Sequence, residues 1–290
     1  MSALELDVFV VPYRPIVAAV EPMSAGEAYW PAISNSLISG KRDAVLVDTP
    51  LVAEDAERLV AWIRAKEKDL TTVYITHGHG DHFFGLKTVL DAFPSARGVT
   101  APEIVPSAAG QLDEAAQQFW NSILPGQIPE QPRLPEPLDG DLIELEGEEL
   151  RILHLGQADT TPTTIVHIPS LDAVVAGDVG YNGIHQYMAE TDHEKRTRWI
   201  ASIEQVRELH PRRIVAGHQD PNARDDLPSA ILDSTKTYIL DFEQSLAESD
   251  SPQELVDRMI ALHGDRTTPH SLWVSAVLVF QQERGAVAQP

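Results

Sequence analysis

His77-Gly78-His79-Gly80-Asp81-His82 places four side chains able to ligate a metal within six residues, directly after the strand-like run Thr72-Val73-Tyr74-Ile75-Thr76. Neutral imidazole and carboxylate are donors that suit zinc, iron or manganese. Gly78 and Gly80 carry no Cβ, which predicts a backbone free to turn between the ligands. A polar loop merely rich in histidine is the bland alternative, and the density of the pattern argues against it.

Upstream of the motif, Val8–Val11, Ser36–Ser39 and Ala44–Val47 read as short strands, with Gly40–Asp43 as a hairpin turn. Ala53–Lys68 carries helical spacing in Ala56, Leu59, Val60 and Ile63. Val73–Thr76 is the strand that delivers the motif, and Leu86–Phe93 is the helix that leaves it. The motif thus falls at the C-terminal end of a strand, where α/β sheets place their sites. Pro102–Pro137 is rich in proline and reads as an insertion or cap rather than sheet, with one helix over Asp113–Ile123. Beyond it, Leu142–Leu145, Glu149–His154, Thr163–Ile168 and Ala173–Ala176 are strands at hairpin spacing. Thr191–Leu209 is an amphipathic helix, Arg213–Ala216 another strand, and Leu227–Phe280 a tail that looks helical throughout. Two β-rich halves, each followed by helices, predict an α+β fold, a four-layer αββα sandwich in a single domain over 1–290. Within it, 100–138 is the expected cap insertion and 225–285 the helical C-terminal extension.

Composition narrows the function. The 290 residues are 43% hydrophobic and 23% charged, enough to bury a substantial core. A formal net charge of −22 would repel phosphate backbones, so no nucleic-acid partner is expected. With no cysteine, disulfides and thiolate sites are excluded, and a metal must be held by His, Asp, Glu, Gln or backbone groups. The start, Met1-Ser2-Ala3-Leu4-Glu5-Leu6-Asp7, lacks the basic segment and apolar core of a signal peptide. No run approaches the ~18 apolar residues of a membrane span, so a cytoplasmic protein without a membrane partner is expected. A small-molecule substrate is the expected partner, and a homodimer stays open.

Two further strand ends carry ligand candidates. Val174-Val175-Ala176-Gly177-Asp178 ends in a carboxylate, and Ile214-Val215-Ala216-Gly217-His218 repeats the device with imidazole. Either residue alone would pass for a turn former. Beside the histidine motif they offer complementary donors. In these residues the chain resembles the metallo-β-lactamase-fold hydrolase superfamily, lactonase- or amidase-like in character with the subfamily left open. His77-x-His79-x-Asp81-His82, Gly177-Asp178 and Gly217-His218 follow in the order and approximate spacing of that superfamily. Asn35-Ser36-Leu37-Ile38 and Val45-Leu46-Val47-Asp48-Thr49 resemble its N-terminal hairpin, and the resemblance covers about residues 8–220.

The resemblance implies one or two divalent metal ions, zinc foremost with manganese or iron as alternatives. His77 and His79 would bind the first, Asp81, His82 and His218 the second, and Asp178 would bridge them. The first site usually has a third imidazole in a Gly-His-Thr/Ser turn. Here the chain reads Leu155-Gly156-Gln157-Ala158-Asp159-Thr160, and Gln157, a weaker donor for zinc, stands where imidazole is expected. Weak ligation by Gln157, a water in its place, or a depleted first site are the open outcomes. His154 is an alternative donor, although it lies within a strand rather than in the turn.

The implied chemistry is hydrolysis of a lactone, ester or amide by a metal-bound hydroxide, with Asp81 orienting the water and carrying its proton. Tyr181, three residues after Asp178, is placed like the tyrosine with which the superfamily's lactonases steady a carbonyl oxygen. His185 is close enough in sequence to reach the same pocket as a substrate binder or an acid. His167, His193 and His210 read as structural or solvated. Phe83, Phe84, Phe119 and Trp120 are expected to form an apolar wall beside the metals. Two alternatives accompany this reading. A thioester hydrolase of the glyoxalase II kind would want basic residues near the site, and no basic cluster is visible. A non-catalytic metal- or ligand-binding protein on the same fold draws its support from Gln157.

Overall fold

A computed structural model describes residues 4–17, 28–223 and 227–284. Met1–Ala3 of the N-terminus read above, and 225, 226 and 285 of the expected extension, lie outside the described residues. The chain opens with β1 (Glu5–Val11), a ribbon of β2 (Arg14–Pro15) against β3 (Tyr29–Trp30), and a hairpin of β4 (Ile33–Ser39) and β5 (Asp43–Val47). Helix α1 (Ala53–Arg64) has Glu54 and Asp55 in its first turn and Arg64 in its last, charges that suit the helix dipole. It buries Ala56, Leu59, Val60 and Ile63, the expected face, but ends at Arg64 instead of Lys68. Glu67 takes a left-handed φ of 55°, which reverses the chain into β6 (Asp69–Ile75).

The motif follows, with α2 (Gly80–Phe83), α3 (Leu86–Ala92) and β7 (Arg97–Thr100) after it. The expected cap holds α4 (Val105–Gly110) and α5 (Glu114–Ile123). Asp113 caps α5 by accepting from Ala116 N at 2.8 Å. The cap's last residues depart from expectation. Its end, β8 (Glu136–Pro137), pairs with β7 and extends the first sheet, covering what would otherwise be an open edge.

The second half contains β9 (Leu142–Leu145), β10 (Glu148–His154), β11 (Thr164–Ile168), β12 (Ala173–Val175) and β13 (Tyr181–Asn182). Then come α6 (His193–Glu208), β14 (Arg213–Val215) and β15 (His218–Gln219). The tail is three helices rather than one: α7 (Pro228–Ala247), α8 (Pro252–His263) and α9 (Pro269–Arg284). Each begins with proline, which lacks the N–H that a first turn cannot use, and Ser251 caps α8.

The first sheet runs β13-β15-β4-β5-β6-β7-β8, with β1 also on β4, and the second runs β14-β12-β11-β10-β9. Strand alternation sorts side chains between layers. Ile38, Val45, Val47 and Tyr74 face Ile152, Val166, Ile168 and Val175 in a core between the sheets. Their neighbours Leu37, Leu46, Val73 and Ile75 pack outward under α1, α3 and α5. Ile165, Val174 and Ile214 pack the other way, under α6 to α9. Burial on both faces explains the unbroken apolar runs that made these strands readable. The architecture is the expected four-layer αββα sandwich. Among the described residues no helix is long and apolar enough to cross a membrane.

Candidate metal centre

Backbone bonds draw the strand ends together where β6, β12 and β14 stop. Thr164 N donates to Thr76 O at 3.0 Å, Ala176 N to Val215 O at 2.8 Å, and Ser34 N to Gly217 O at 2.8 Å. Asp48, held at a left-handed φ of 62°, anchors the motif from behind. Its carboxylate accepts from Thr76 N and Thr76 Oγ1, both at 2.8 Å, and from His82 Nδ1 at 3.1 Å.

Every imidazole of the site has one nitrogen occupied by the protein. His77 Nδ1 lies 3.0 Å from Thr76 Oγ1, and since that hydroxyl donates to Asp48, it accepts from the ring. His79 Nε2 meets Glu190 Oε1 at 3.0 Å, and His218 Nδ1 meets Ala32 O at 3.0 Å. These partners fix the tautomers and aim the other nitrogens at a common space. Asp178 sits in the middle of it. Its oxygens lie 3.7 Å from His77 Nε2, 3.4 Å from His82 Nε2 and 3.3 Å from His218 Nε2.

The donors fall into two groups, His77, His79, Asp159 and Asp178 in one and Asp81, His82 and His218 in the other. Within each group the ligand atoms lie within 4.8 Å of one another. His77 Nε2, His82 Nε2, Asp159 Oδ1 and Asp178 Oδ1 are buried with no hydrogen-bond partner. A buried polar atom without a partner costs about 1–3 kcal/mol, more when charged, so four of them on residues of one cluster are unfavourable unless a cation serves them. The nitrogen and carboxylate set fits a divalent ion of the zinc, manganese or iron type.

Charge follows the same geometry. Burial opposes ionisation of Asp178, but the imidazoles of His218, His82 and His77 hold its carboxyl well below the usual range. Burial and the neighbouring Asp178 push Asp159 up to about 7, against the pull of His79. Two carboxylates in one pocket cannot both ionise cheaply without a cation between them.

The structure places two of the residues considered for the first group, Gln157 and His154, elsewhere. Gln157 donates its amide nitrogen to Ala158 O at 2.9 Å and Thr160 O at 3.4 Å, within its own turn, and does not line the cavity. Asp159, two residues on, is the side chain that joins His77, His79 and Asp178. A signal existed in Ala158-Asp159-Thr160, which fits a Gly-His-Thr turn with an acid in the imidazole position once the register moves by two. His154 is remote, with Nδ1 on Glu103 and Nε2 2.8 Å from Asp141 at the exposed surface. The glycines also work differently from expectation. Neither Gly78 nor Gly80 has a positive φ. At 78 glycine supplies room, since a Cβ there would lie 2.2 Å from Ser107 Oγ and 2.9 Å from Ala108 N. Gly217 is tighter still: its Cβ would fall 2.0 Å from Asp178 Oδ1.

A cavity of about 410 Å³ opens above the two groups and is lined by Asp81, Tyr181 and His185 as well as by ligand candidates. Trp30 Nε1 donates to Asp81 Oδ2 at 3.0 Å, a contact that nothing in the sequence announced. Tyr181 is stacked on His218, with its hydroxyl 3.2 Å from Asp178 Oδ2 and 3.3 Å from Asp159 Oδ2. Burial, then the charges of Asp159 and Asp178, push its phenol far up, so it stays a donor. His185 Nδ1 lies 3.0 Å from Tyr238 Oη. Burial, with the nearby Arg266 and His263, takes His185 down to about 3, so the ring is neutral and suited to binding, not to acid catalysis. Of the expected apolar wall, Phe119 and Trp120 line the cavity, joined by Trp30, Tyr187, Val274 and Leu278. Phe83 and Phe84 do not, being fully buried behind it with Phe84 packed on Trp120. Glu190, also unforeseen, holds His79 and accepts from Thr160 Oγ1 at 2.7 Å.

Comparison with known proteins agrees with this geometry. Residues 29–218 match the family described as the metallo-beta-lactamase superfamily. No curated protein matches the sequence. Among solved structures, a metallo-beta-lactamase family protein from Thermus thermophilus is 19% identical with a TM-score of 0.62, covering 99% of this chain and 96% of its own. A metallo-beta-lactamase from Pontibacter korlensis is 18% identical with a TM-score of 0.57, covering 81% and 99%. The DIM-1 metallo-beta-lactamase is 19% identical with a TM-score of 0.58, covering 82% and 97%. At such identities the likeness shows the fold alone.

Proposed function

The chain belongs to the metallo-beta-lactamase superfamily, and from that premise we propose that it is a metal-dependent hydrolase opening a lactone, ester or amide bond in a small apolar molecule. The observation that carries the proposal is the pair of donor groups meeting at Asp178 on the floor of an apolar cavity. His77, His79, Asp159 and Asp178 would hold one ion, and Asp81, His82 and His218 with Asp178 the other, zinc being the first choice and manganese or iron the alternatives. Bound divalent ions supply Lewis acidity and make water a usable nucleophile near neutral pH.

The chain's own residues do the rest. Trp30 fixes Asp81 at the cavity wall, where its carboxylate can take a proton from the attacking water and pass it to the leaving group. The Tyr181 phenol, kept protonated, donates to the substrate carbonyl oxygen and steadies the charge that grows there. His185 Nδ1 is held by Tyr238 Oη, which leaves His185 Nε2 to hold a polar group of the substrate. The aromatic walls exclude bulk water and strengthen each of these contacts.

The test is a panel of lactones, esters, amides and thioesters offered to zinc-loaded, manganese-loaded and metal-stripped protein. Turnover of a lactone, ester or amide that vanishes with the metal is expected. Full activity after strict metal removal overturns the mechanism. Tight metal binding with no turnover across the panel would leave a metal- or ligand-binding protein on this fold.

A further inference from the structure

Among its described lining residues the cavity carries acids and no fixed cation. Among the described residues that line it there is no Lys or Arg, while Asp81, Asp159, Asp178 and Glu190 all reach it. Two imidazoles in the lining lie outside the donor groups, His185 and His270, and burial lowers the pKa of each, so neither supplies a standing positive charge. The N-terminus of α9 borders the cavity through His270 and Ser271, but the Ser271 N–H is already given to Thr268 O at 3.0 Å.

The sum is informative. Two dications would bring four positive charges, and the four lining carboxylates bring four negative ones, with Asp48 behind His82 a fifth, so the loaded site would hold no surplus positive charge. Asp159 is part of that balance, because an imidazole in its place would remove one of the negative charges. Around this centre the walls are apolar: Trp30 and Trp120 meet edge to face at 5.0 Å, and Val274 and Leu278 come from α9. A second hollow, lined by Tyr13, Thr267 and Thr268, shares Tyr29 and His270 with the first and prolongs the apolar path. An anionic group against these walls gives up its hydration and meets no lysine or arginine among the described lining residues. A neutral aromatic or alkyl group gains burial at no such cost.

We infer that this site selects uncharged carbonyl compounds with an aromatic or alkyl body and discriminates against those bearing a carboxylate, sulfonate or phosphate. The carbonyl part rests on the proposed function; the charge selection rests on the cavity alone.

The experiment therefore has a binding arm and a turnover arm. Quenching of the cavity tryptophans, Trp30 and Trp120, by 4-methylacetophenone and by 4-acetylbenzenesulfonate is titrated in zinc-loaded protein. The neutral ketone should bind at least about tenfold more tightly. In the second arm, 4-nitrophenyl butyrate should exceed mono-4-nitrophenyl glutarate in kcat/KM by about 100-fold. Val274→Lys, which adds a cation to the wall, should narrow both gaps, and Leu278→Lys serves as the second position where the first variant does not fold. Equal or tighter binding of the sulfonate overturns the inference, as does a gap that stays the same in a folded lysine variant. Preserved binding preference with no turnover of either ester would instead sink the hydrolase reading and leave the charge selection standing.

Discussion

Removing the carboxylate of Glu190 tests whether His79 is a metal ligand held from behind. Glu190 Oε1 lies 3.0 Å from His79 Nε2, and Oε2 accepts from Thr160 Oγ1 at 2.7 Å, so the side chain is fixed at both oxygens. With Nε2–H donated there, His79 presents Nδ1 to the first donor group, 3.4 Å from Asp159 Oδ2. Losing such a partner typically lowers metal affinity by about 10–100-fold, or about 1.4–2.8 kcal/mol. The Glu190 side chain is 44% exposed, so water can replace part of the contact and the lower end of that range applies. Glu190→Ala should weaken binding of one zinc ion by about tenfold and leave the other, on Asp81, His82 and His218, unchanged. Glu190→Gln keeps an oxygen acceptor but not its charge, and should recover about half of the loss in free energy. A competitive titration against a chelating dye, resolved into two steps, reads both constants. Wild-type affinity at both steps in Glu190→Ala would refute the assignment of His79, and equal loss at both would refute the division into two groups.

Three further outcomes follow from other parts of the molecule. Asp81→Ala should lose most hydrolytic activity while its melting temperature stays near that of the wild type, and wild-type turnover would remove Asp81 from the mechanism. Trp199→Ala should cost about 3–5 kcal/mol in urea unfolding, because Trp199 is fully buried and its Nε1 donates to Val179 O at 3.0 Å, just after Asp178; a loss below about 1 kcal/mol would contradict that packing. Burial lowers the pKa of His154, but hydrogen bonds and charge from Asp141 and Glu103 outweigh it and raise the folded value above the ordinary 6.5. Its stabilisation, at most about 1 kcal/mol after solvent screening, is therefore complete below about pH 6.5 and lost as pH rises through the folded value. The melting-temperature gap between wild type and His154→Gln should shrink from about pH 5.5 to about pH 9, and a gap that grows reverses the sign of the argument.

What the sequence made legible was whatever a local pattern could carry. Apolar runs with both faces buried announced the strands, and three strand ends with imidazole or carboxylate pointed to most of the side chains that the structure brings together as candidate donors. The misreadings occur where a role depends on neighbours distant in sequence or on the register of an irregular turn. Glu190 acts on a histidine 111 residues away, and Trp30 on an aspartate 51 residues away, so neither has a local signature. Phe83 and Phe84 look no different from Phe119 until their burial is known. Gln157 was expected at the place of the missing imidazole because it follows a glycine, but the turn runs on to Asp159 before the chain enters β11. That two-residue difference is chemical as well as geometric. An amide would leave the first group with one carboxylate fewer; a carboxylate there adds one more negative charge against the dications. With Asp159 and Glu190 beside Asp81 and Asp178, and Asp48 behind His82, a pair of dications would leave no surplus positive charge, and among the described residues the cavity lining holds no lysine or arginine for an anionic ligand.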